Sequence, residues 1–497
     1  MNLEPEICYR ALQARDARFD GKFFTGVLTT GIYCRPICPA PIPKLENCTF
    51  FPSATAAHES GFRPCLRCQP EVAPNLRVDT GNAIVTQAMR LIAQGILDEI
   101  SVQGLAEKLG TSDRHLRRLF TQHLGLSPVS FAQVRRILFA KKLLNETQLS
   151  ITEIAFAAGF SSIRRFNEVM YKTYKRTPTE LQKGKSQTTA GAASAVKLKL
   201  PYSPPYRWDA MLHFLGPRTI SGVEVVIQDT YYRGIEIAGI YGVVSVQPAS
   251  EQNHLLATIQ LPNSQFSKPT VFSQVVERLR ALFDLDADIA QIEADLCRDE
   301  TLKPFIQMKP GVRIPGAWDG FETAVRAILG QQISVAAATR LAGRLVETYG
   351  EPLQLEVTDS VPSNLQRLFP KPETLATVNL AELGIFKSRA NAISALAQVL
   401  VEQPDFFQQF QTLDDAVKAL CKLPGIGEWT AHYIAMRILR EPDAFPATDL
   451  WLLKSVVPGQ KLTKQQLLEQ AEAWRPWRAY AAMQLWMKDF VPAESEK

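Results

Sequence analysis

The stretches Cys34-Arg35-Pro36-Ile37-Cys38 and Pro64-Cys65-Leu66-Arg67-Cys68 decide how the N-terminal part of the chain folds. Their cysteines are spaced C-x3-C and C-x2-C, and such short hooks let two thiolates converge on one metal ion from each side. Four sulfur ligands favour Zn²⁺. We therefore expect Cys34, Cys38, Cys65 and Cys68 to bind zinc, and a purely structural role for the metal is the simplest interpretation.

The rest of the composition indicates a chain of several domains in a reducing cytoplasm. The chain has 497 residues, which corresponds to roughly three to five domains. The four remaining cysteines are scattered, which does not suggest a disulfide scaffold: Cys8, Cys48, Cys297 and Cys421. The acidic, polar start predicts no signal peptide, and no apolar run approaches the ~18 residues of a membrane span.

A basic, helical block at residues 80–183 contains two similar units. Residues 101–180 hold 13 Lys and Arg against 6 Asp and Glu, a local charge of +7 in a chain of net charge +5. Each unit is an apolar helix, a Gly turn, a Ser cap and a basic amphipathic helix, about 49 residues apart. A solvated basic face or a generic helical hairpin explains either feature alone. Two copies joined by a long helix predict a double helix-turn-helix.

Composition shifts divide the chain further. We expect a small metal-stabilised unit at residues 1–78, the helical block at 80–183 and a small-residue linker at 184–196. Alternating runs such as Val223–Ile227 and His254–Ile259 predict antiparallel strands within 197–308. Residues 309–492 are helical by pattern. The fold class is therefore multidomain and mainly α, with a small zinc-bound α/β domain, an all-α double helix-turn-helix domain, an α+β antiparallel-sheet domain and an all-α C-terminal domain.

A third signal is the turn Leu423-Pro424-Gly425-Ile426-Gly427, which Glu428-Trp429 follows. Such a turn between two helices exposes backbone N–H groups that can bind a phosphate, so Gly425 and Gly427 are candidate DNA contacts. Asp449 follows about twenty residues later. Taken alone, Asp449 is better explained as a helix N-cap, because an apolar helical run follows it.

The first two signals carry family resemblances. Thr29-Thr30-Gly31-Ile32-Tyr33-Cys34 and Phe62-Arg63-Pro64-Cys65 resemble the zinc domain of the Ada family of adaptive-response regulators. The resemblance implies that Cys34 is a methyl acceptor for DNA methyl phosphotriesters as well as a ligand. The double helix-turn-helix resembles the AraC-type DNA-binding domain, notably at Gly159-Phe160 and Tyr174–Pro178. Its second helices imply groove contacts from Arg114, Arg117, Arg164 and Arg165.

The turn and Asp449 together resemble the helix-hairpin-helix DNA glycosylases. The stretch from about 200 to 490 is similar to the AlkA family of 3-methyladenine glycosylases, at Pro204–Trp208, Met211–Leu215, Ala327–Gln332 and Trp474–Arg478. This resemblance implies that Asp449 is catalytic and that Trp429, Tyr433 and Trp486 form the base pocket. Trp318 is a further candidate, for which ordinary core packing is the better explanation.

The same resemblance implies the remaining details of the site. Gln332 occupies the position that fills the gap left by the flipped base, where a well-known relative has Leu. Trp429 stands where lyase-competent members have Lys, so a monofunctional glycosylase is expected. The backbone carbonyls of Cys421, Leu423 and Gly425 would bind a monovalent cation.

The leading hypothesis is a fused Ada–AlkA protein. It would sense methyl phosphotriesters at Cys34, activate transcription of repair genes and excise alkylated purines such as 3-methyladenine. Its partners would be alkylated and promoter double-stranded DNA and RNA polymerase. A monomer is expected, because both helix-turn-helix units lie in one chain. Two alternatives stay open, namely a pure transcriptional regulator with an inactive glycosylase half, and a zinc ion that is only structural.

Overall fold

The computed structural model describes residues 4–16, 19–70, 73, 83–182, 195–249, 253–262, 271–354, 361–410, 412–456 and 461–490. The chain forms two compact units. The first comprises Met1–Ser203, Ile237–Ile240 and Ala249–Glu277, and the second comprises Pro204–Glu236, Tyr241–Pro248 and Arg278–Lys497. Within the described ranges, no helix has both the length and the apolar character that a bilayer span needs.

The first unit begins with a four-stranded sheet in the order β3-β1-β2-β4. Its elements are α1 (Pro5–Ala14), β1 (Phe24–Val27), β2 (Ile32–Cys34), β3 (Cys48–Phe51), α2 (Ala54–Glu59) and β4 (Arg63–Pro64). β1 is antiparallel to β2 and β3, whereas β4 is parallel to β2 with Tyr33 opposite Pro64. Because Cys34 and Cys65 each follow one of these paired residues, the register places the two cysteines side by side.

Between residues 83 and 182, all of which the structure describes, eight helices follow and confirm the double helix-turn-helix. They are α3 (Ala83–Ala93), α4 (Ile96–Glu99), α5 (Val102–Lys108), α6 (Asp113–Leu124), α7 (Pro128–Glu146), α8 (Ile151–Ala157), α9 (Ile163–Tyr174) and α10 (Pro178–Gln182). The Ser caps are those expected, since the Ser112 hydroxyl accepts the His115 N–H and the Ser162 hydroxyl accepts the Arg165 N–H. Gly110 and Gly159 turn the chain with φ of 65° and 83°.

Three basic residues of α7 have partners within the protein. Arg136 pairs with Asp98, and Arg135 pairs with Glu277 at 2.5 Å. Lys142 is buried, and its ammonium donates to the carbonyl of Lys199. Glu146, one turn further along α7, accepts the N–H of Lys199 at 2.8 Å. The charges of Arg135 and Arg136 are therefore paired with carboxylates, and that of Lys142 is used inside the protein.

Lys199 belongs to β5 (Ala195–Pro201), which lies at the edge of its sheet. β5 is antiparallel to β9 (His254–Gln260), with Lys199 opposite Leu256. The predicted linker 184–196 falls mostly outside the described residues. Its last two residues, Ala195 and Val196, are strand rather than linker, because Val196 is buried and pairs with Ile259.

The second unit combines strands with a large helical core. Its strands are β6 (Glu224–Ile227), antiparallel to β7 (Thr230–Ile237), and β8 (Ile240–Pro248), so strand was correctly predicted at Val223–Ile227. The helices are α11 (Trp208–Leu215), α12 (Val271–Leu282, shared with the first unit), α13 (Ile289–Leu296), α14 (Lys303–Met308), α15 (Gly320–Leu329), α16 (Val335–Tyr349), α17 (Pro372–Leu375), α18 (Lys387–Glu402), α19 (Leu413–Cys421), α20 (Glu428–Ile434), α21 (Leu452–Ser455), α22 (Lys464–Ala471) and α23 (Arg478–Trp486). The apolar faces of α15, α16, α18 and α20 pack into one core.

Candidate functional site

The four cysteines of the first unit meet in one cluster. The sulfurs of Cys34, Cys38, Cys65 and Cys68 all lie within 4.8 Å of one another, and all four side chains are buried. Ligand bonds of about 2.3 Å in a tetrahedron place sulfurs about 3.8 Å apart. The Cys38 and Cys65 sulfurs are 4.0 Å apart. The cluster therefore fits a tetrahedral zinc ion.

The protonation of the cluster points to a cation as well. Hydrogen bonding to Cys38, Cys65 and Cys68 raises the pKa of Cys34, while hydrogen bonding to Cys34 lowers the pKa of Cys38 to about 7. Four buried thiols this close cannot all ionise without a compensating positive charge. A divalent cation supplies that charge, so the donor set suits a metal and not a disulfide pair.

Arg35 fixes the chain around this cluster. Its backbone N–H donates to the Cys68 sulfur at 3.3 Å, and its guanidinium donates to the Cys68 carbonyl at 3.1 Å. The same guanidinium forms an ion pair with the buried Asp20. Hydrogen bonds to a ligating sulfur orient it and tune its charge. Arg35 thus links the first cysteine hook to the second.

The second unit contains a cavity of about 810 Å³ whose lining includes Trp429, Tyr433 and Trp486. Trp429 and Tyr433 lie one turn apart on α20 and stack, with ring centroids 5.1 Å apart and planes at 11°. Trp486, on α23, is tilted against Tyr433 at 6.2 Å. The three aromatics predicted from sequence are therefore brought together.

Asp449 lies at the same cavity, where its carboxylate accepts hydrogen bonds from two indoles and from two backbone N–H groups. Its Oδ2 accepts the indole N–H of Trp429 at 2.8 Å, and its Oδ1 accepts that of Trp486 at 3.3 Å. Oδ1 also accepts the N–H groups of Trp451 and Leu452, at 2.9 and 3.0 Å, at the start of α21. The carboxylate is thus a helix cap, and that cap fixes it against two pocket aromatics.

The turn after α19 requires glycine at position 425 but not at position 427. Gly425 has a φ of 75°, and a Cβ there would lie 2.8 Å from the Cβ of Ala392. Gly427 is extended, and a Cβ there would meet nothing within 4 Å. The Gln331 amide joins this turn to the loop after α15 by donating to the Gly425 carbonyl at 2.9 Å. Gln332 follows with an exposed side chain and a φ of 58°.

A buried charged network forms another part of the cavity wall. Arg233 and Arg326 each pair with both Glu224 and Glu322. Burial opposes ionisation, but the two guanidinium groups outweigh it and lower the pKa of Glu224 to about 2. Trp318 also lines the cavity, and it is buried with the Arg233 guanidinium 5.7 Å from its ring.

Several lining residues were missed by the sequence reasoning: Phe214, Arg218, Arg437 and Trp451. The Arg437 guanidinium donates to the Tyr433 hydroxyl at 2.9 Å. Burial raises the pKa of Tyr433, but the charges of Arg437 and Arg218 outweigh that effect and lower it. Trp451, two residues after Asp449, could have been found by its position, whereas isolated arginines near helices give no such signal.

The predicted groove residues of the first unit lie on α6 and α9. All four side chains are exposed. Arg117 pairs with Asp113, and Arg165 pairs with Glu168, each within its own helix. Such exposed pairs are weak and exchange readily for a phosphate. Arg114 and Arg164 precede them at the N-terminal ends of the two helices.

Four family models match consecutive parts of the chain. They are the metal binding domain of Ada over residues 7–71, a helix-turn-helix domain over 105–184, the AlkA N-terminal domain over 197–319, and the HhH-GPD superfamily base excision DNA repair protein over 325–477. Among solved structures, a 3-methyladenine DNA-glycosylase from Archaeoglobus fulgidus has a TM-score of 0.50 and 21% identity, covering 60% of this chain and 99% of that chain. That likeness concerns the fold.

Similar sequences match either nearly the whole chain or one part of it. The probable bifunctional transcriptional activator/DNA repair enzyme AlkA of Mycobacterium tuberculosis is 39% identical over 97% of this chain and 96% of its own length. The DNA-3-methyladenine glycosylase 2 of Escherichia coli is 35% identical over 58% of this chain and 95% of its own. The bifunctional activator/repair enzyme Ada of Escherichia coli is 36% identical over 34% of this chain and 47% of its own. The chain therefore belongs to the family of bifunctional transcriptional activator/DNA repair enzymes that join an Ada-type regulator to an AlkA-type glycosylase.

Proposed function

We propose that the second unit hydrolyses the N-glycosidic bond of alkylated purines such as 3-methyladenine in double-stranded DNA. The observation that carries this proposal is the Asp449 carboxylate, bound to Trp429 at 2.8 Å on a cavity lined by three aromatic rings. Bond cleavage builds positive charge on the sugar, and a fixed carboxylate next to C1′ stabilises that charge. The aromatic rings offer stacking faces to a base that has left the helix.

The path of the reaction follows from the chain's own groups. The C1′–N bond breaks and its electron pair leaves with the base. A water oxygen then bonds to C1′, and Asp449 orients this water and accepts its proton. Residue 429 is Trp, so the position where lyase-competent members of the superfamily have Lys carries no amine to attack C1′. The product is then an abasic site, and the enzyme is a monofunctional glycosylase without lyase activity.

DNA contacts around the cavity are assigned to the two loops that Gln331 connects. Gln332, exposed at the tip of its loop, would fill the space of the flipped nucleotide. The N–H groups at Gly425 and Gly427 would hold a phosphate on the same strand. The carbonyls of Cys421, Leu423 and Gly425 are the proposed ligands of a monovalent cation, and the Gly425 carbonyl would share its oxygen with the Gln331 amide.

In the first unit, Cys34, Cys38, Cys65 and Cys68 would hold zinc, which keeps the four sulfurs together as thiolates. We assign Cys34 as the acceptor of a methyl group from a DNA methyl phosphotriester. Its sulfur attacks the methyl carbon, the C–O bond breaks, and the electron pair stays on the phosphodiester oxygen. The protein loses one negative charge in this stoichiometric step. Weaker repulsion from phosphates would then strengthen DNA binding.

The double helix-turn-helix would use this change to bind promoters and activate transcription, with RNA polymerase as a further partner. Arg114, Arg117, Arg164 and Arg165 are the proposed groove contacts. The domain limits proposed from sequence assign methyl transfer to 1–78 and promoter binding to 80–183. They assign base excision to 309–492, with 197–308 as the accompanying α+β domain. A monomer suffices, because the two recognition helices are part of one chain.

The test is release of 3-methyladenine from methylated duplex DNA by the full-length protein, beside Asp449→Asn. We expect base release by the wild type and a loss of at least a hundredfold in the variant. Mass spectrometry after exposure to DNA with methyl phosphotriesters should place a single methyl group on Cys34. No base release from folded, zinc-loaded wild-type protein would leave the transcriptional regulator as the function.

A further inference from the structure

The lining of the cavity carries two arginines that the proposed chemistry has not used. Arg218 and Arg437 flank the ring of Phe214, with their guanidinium carbons 3.8 and 5.1 Å from its centroid. Within the described ranges, neither has a carboxylate within ion-pair distance. In contrast, Arg233 and Arg326 on the same cavity are neutralised by Glu224 and Glu322.

Arg437 is a rigidly held charge. Its three nitrogens donate to the carbonyls of Pro315 and Gly316, at 2.7 and 2.8 Å, and to the Tyr433 hydroxyl at 2.9 Å. Arg218 is half-buried, and it donates to the Phe214 carbonyl at 2.7 Å. Side chains fixed in this way exert a field that needs no rearrangement during a reaction.

The charges have a defined order along one wall of the cavity. Asp449 bonds to Trp429, Trp429 stacks on Tyr433, and Tyr433 bonds to Arg437. A negative group therefore lies at one end of the stacked pair and a positive group at the other. Asp489 also lines the cavity and lies near the buried Lys309; burial lowers the pKa of that amine, and the charge of Asp489 offsets only part of this effect.

We propose that Arg218 and Arg437 stabilise the negative charge that moves onto the base as the glycosidic bond breaks. This inference rests on the proposed glycosylase function and adds a specificity element to it. The electron pair of the C1′–N bond leaves with the base, while the sugar becomes positive beside Asp449. A cationic base departs neutral. A neutral base departs as an anion and then takes up the proton that the attacking water loses.

The arginines therefore act differently on the two classes of lesion. With a cationic base they repel the bound substrate, and this repulsion disappears in the transition state. With a neutral base they are indifferent to the bound substrate and attract the transition state. In both cases the maximal rate rises, but only the neutral base gains in kcat/KM, because that ratio compares the transition state with free enzyme and substrate.

The experiment compares full-length wild type, Arg218→Met and the charge-preserving Arg218→Lys. The substrates are duplexes with a single hypoxanthine, which is neutral, or a single 7-methylguanine, which is cationic. Single-turnover rates at varied enzyme concentration give the maximal rate and the half-saturating concentration. A unit charge about 10 Å away at an effective dielectric of about 20 changes the rate by about tenfold.

We expect Arg218→Met to lower the maximal rate for both bases by about tenfold. The ratio of maximal rate to half-saturating concentration should fall about tenfold for hypoxanthine and stay within about twofold for 7-methylguanine. Arg218→Lys should restore the wild-type ratio between the two substrates. If the Met variant does not fold, Arg218→Gln, which can still donate to the Phe214 carbonyl, carries the same comparison.

If the ratio of maximal rate to half-saturating concentration falls equally for the two substrates, or falls for neither, the inference is overturned and the glycosylase function stands, since a merely structural role lowers this ratio for both alike. Wild-type protein that releases 7-methylguanine but not hypoxanthine would also overturn it. Wild-type protein that releases neither base would remove the proposed function and this inference together.

Discussion

The two glycines of the turn after α19 should respond in opposite ways to the same small substitution. Gly425→Ala puts a methyl group 2.8 Å from Ala392 at a φ of 75°. The left-handed conformation costs about 1 kcal/mol and the clash about 1–3 kcal/mol, so we expect a loss of about 2–4 kcal/mol in the free energy of unfolding. Gly427→Ala meets nothing within 4 Å at an ordinary φ, so its loss should stay within about 1 kcal/mol.

Gly427→Ala should weaken DNA binding although it hardly changes the stability of the protein. The methyl group would occupy the open space through which we expect a phosphate to reach the backbone N–H groups. Loss of one hydrogen bond to a charged group is worth about 1.5–3 kcal/mol, or about a 10–150-fold weaker Kd. Thermal unfolding and binding to a duplex with an abasic-site analogue measure both effects. Wild-type affinity of Gly427→Ala, or wild-type stability of Gly425→Ala, would refute the reasoning.

Three further predictions concern charge and metal. Burial raises the pKa of Glu293 to about 7, against the opposing effects of the Gly311 N–H and Arg313. Folding then takes up a proton between about pH 4.5 and 7, so the free energy of unfolding should fall by about 3 kcal/mol as the pH rises across that window and should stay low above it. Denaturant titrations of Glu293→Gln should show no such pH dependence. Arg114→Ala should weaken promoter binding and reduce the slope of log Kd against log salt by about 0.9 if the side chain contacts one phosphate, whereas an unchanged slope would place it off the DNA backbone. A strong chelator should expose four additional reactive thiols and abolish methyl transfer, while base excision by the second unit continues. Loss of both activities together would show that the cavity of the second unit depends on the metal of the cysteine cluster.

Local sequence patterns predicted the helices and strands of this protein well. They could not predict contacts between residues that lie far apart in the sequence. Ser112 and Ser162 were predictable because a cap acts on a backbone group three residues away. The strands were found for the same reason, since period-two alternation is local. The pairing of the α7 arginines could not be predicted, because the acidic partners of Arg135 and Arg136 lie 142 and 38 residues away in the sequence.

The candidate site shows the same division. The cysteine hooks were recognisable from their spacing, whereas the aromatics Trp429, Tyr433 and Trp486 were predicted through the family resemblance. The two cavity arginines were not, because a single arginine near an amphipathic helix has no distinguishing neighbour in the sequence. Asp449 had two explanations from sequence, a helix cap and a catalytic carboxylate. The structure shows the cap, whose hydrogen bonds hold the carboxylate at the cavity, and the catalytic role stays a proposal.

The contact of α7 with β5 bears on how the chain can be divided. Lys142 and Glu146 together occupy the carbonyl and the N–H of Lys199, which would otherwise face outward from the sheet edge. Unpaired edge groups are templates for intermolecular strand pairing and aggregation. A glycosylase half expressed from residue 195 onward would lack α7 and present this edge to its neighbours. This fragment should precipitate more readily than the intact chain. Substituting an exposed residue of β5 by a charged one should restore its solubility.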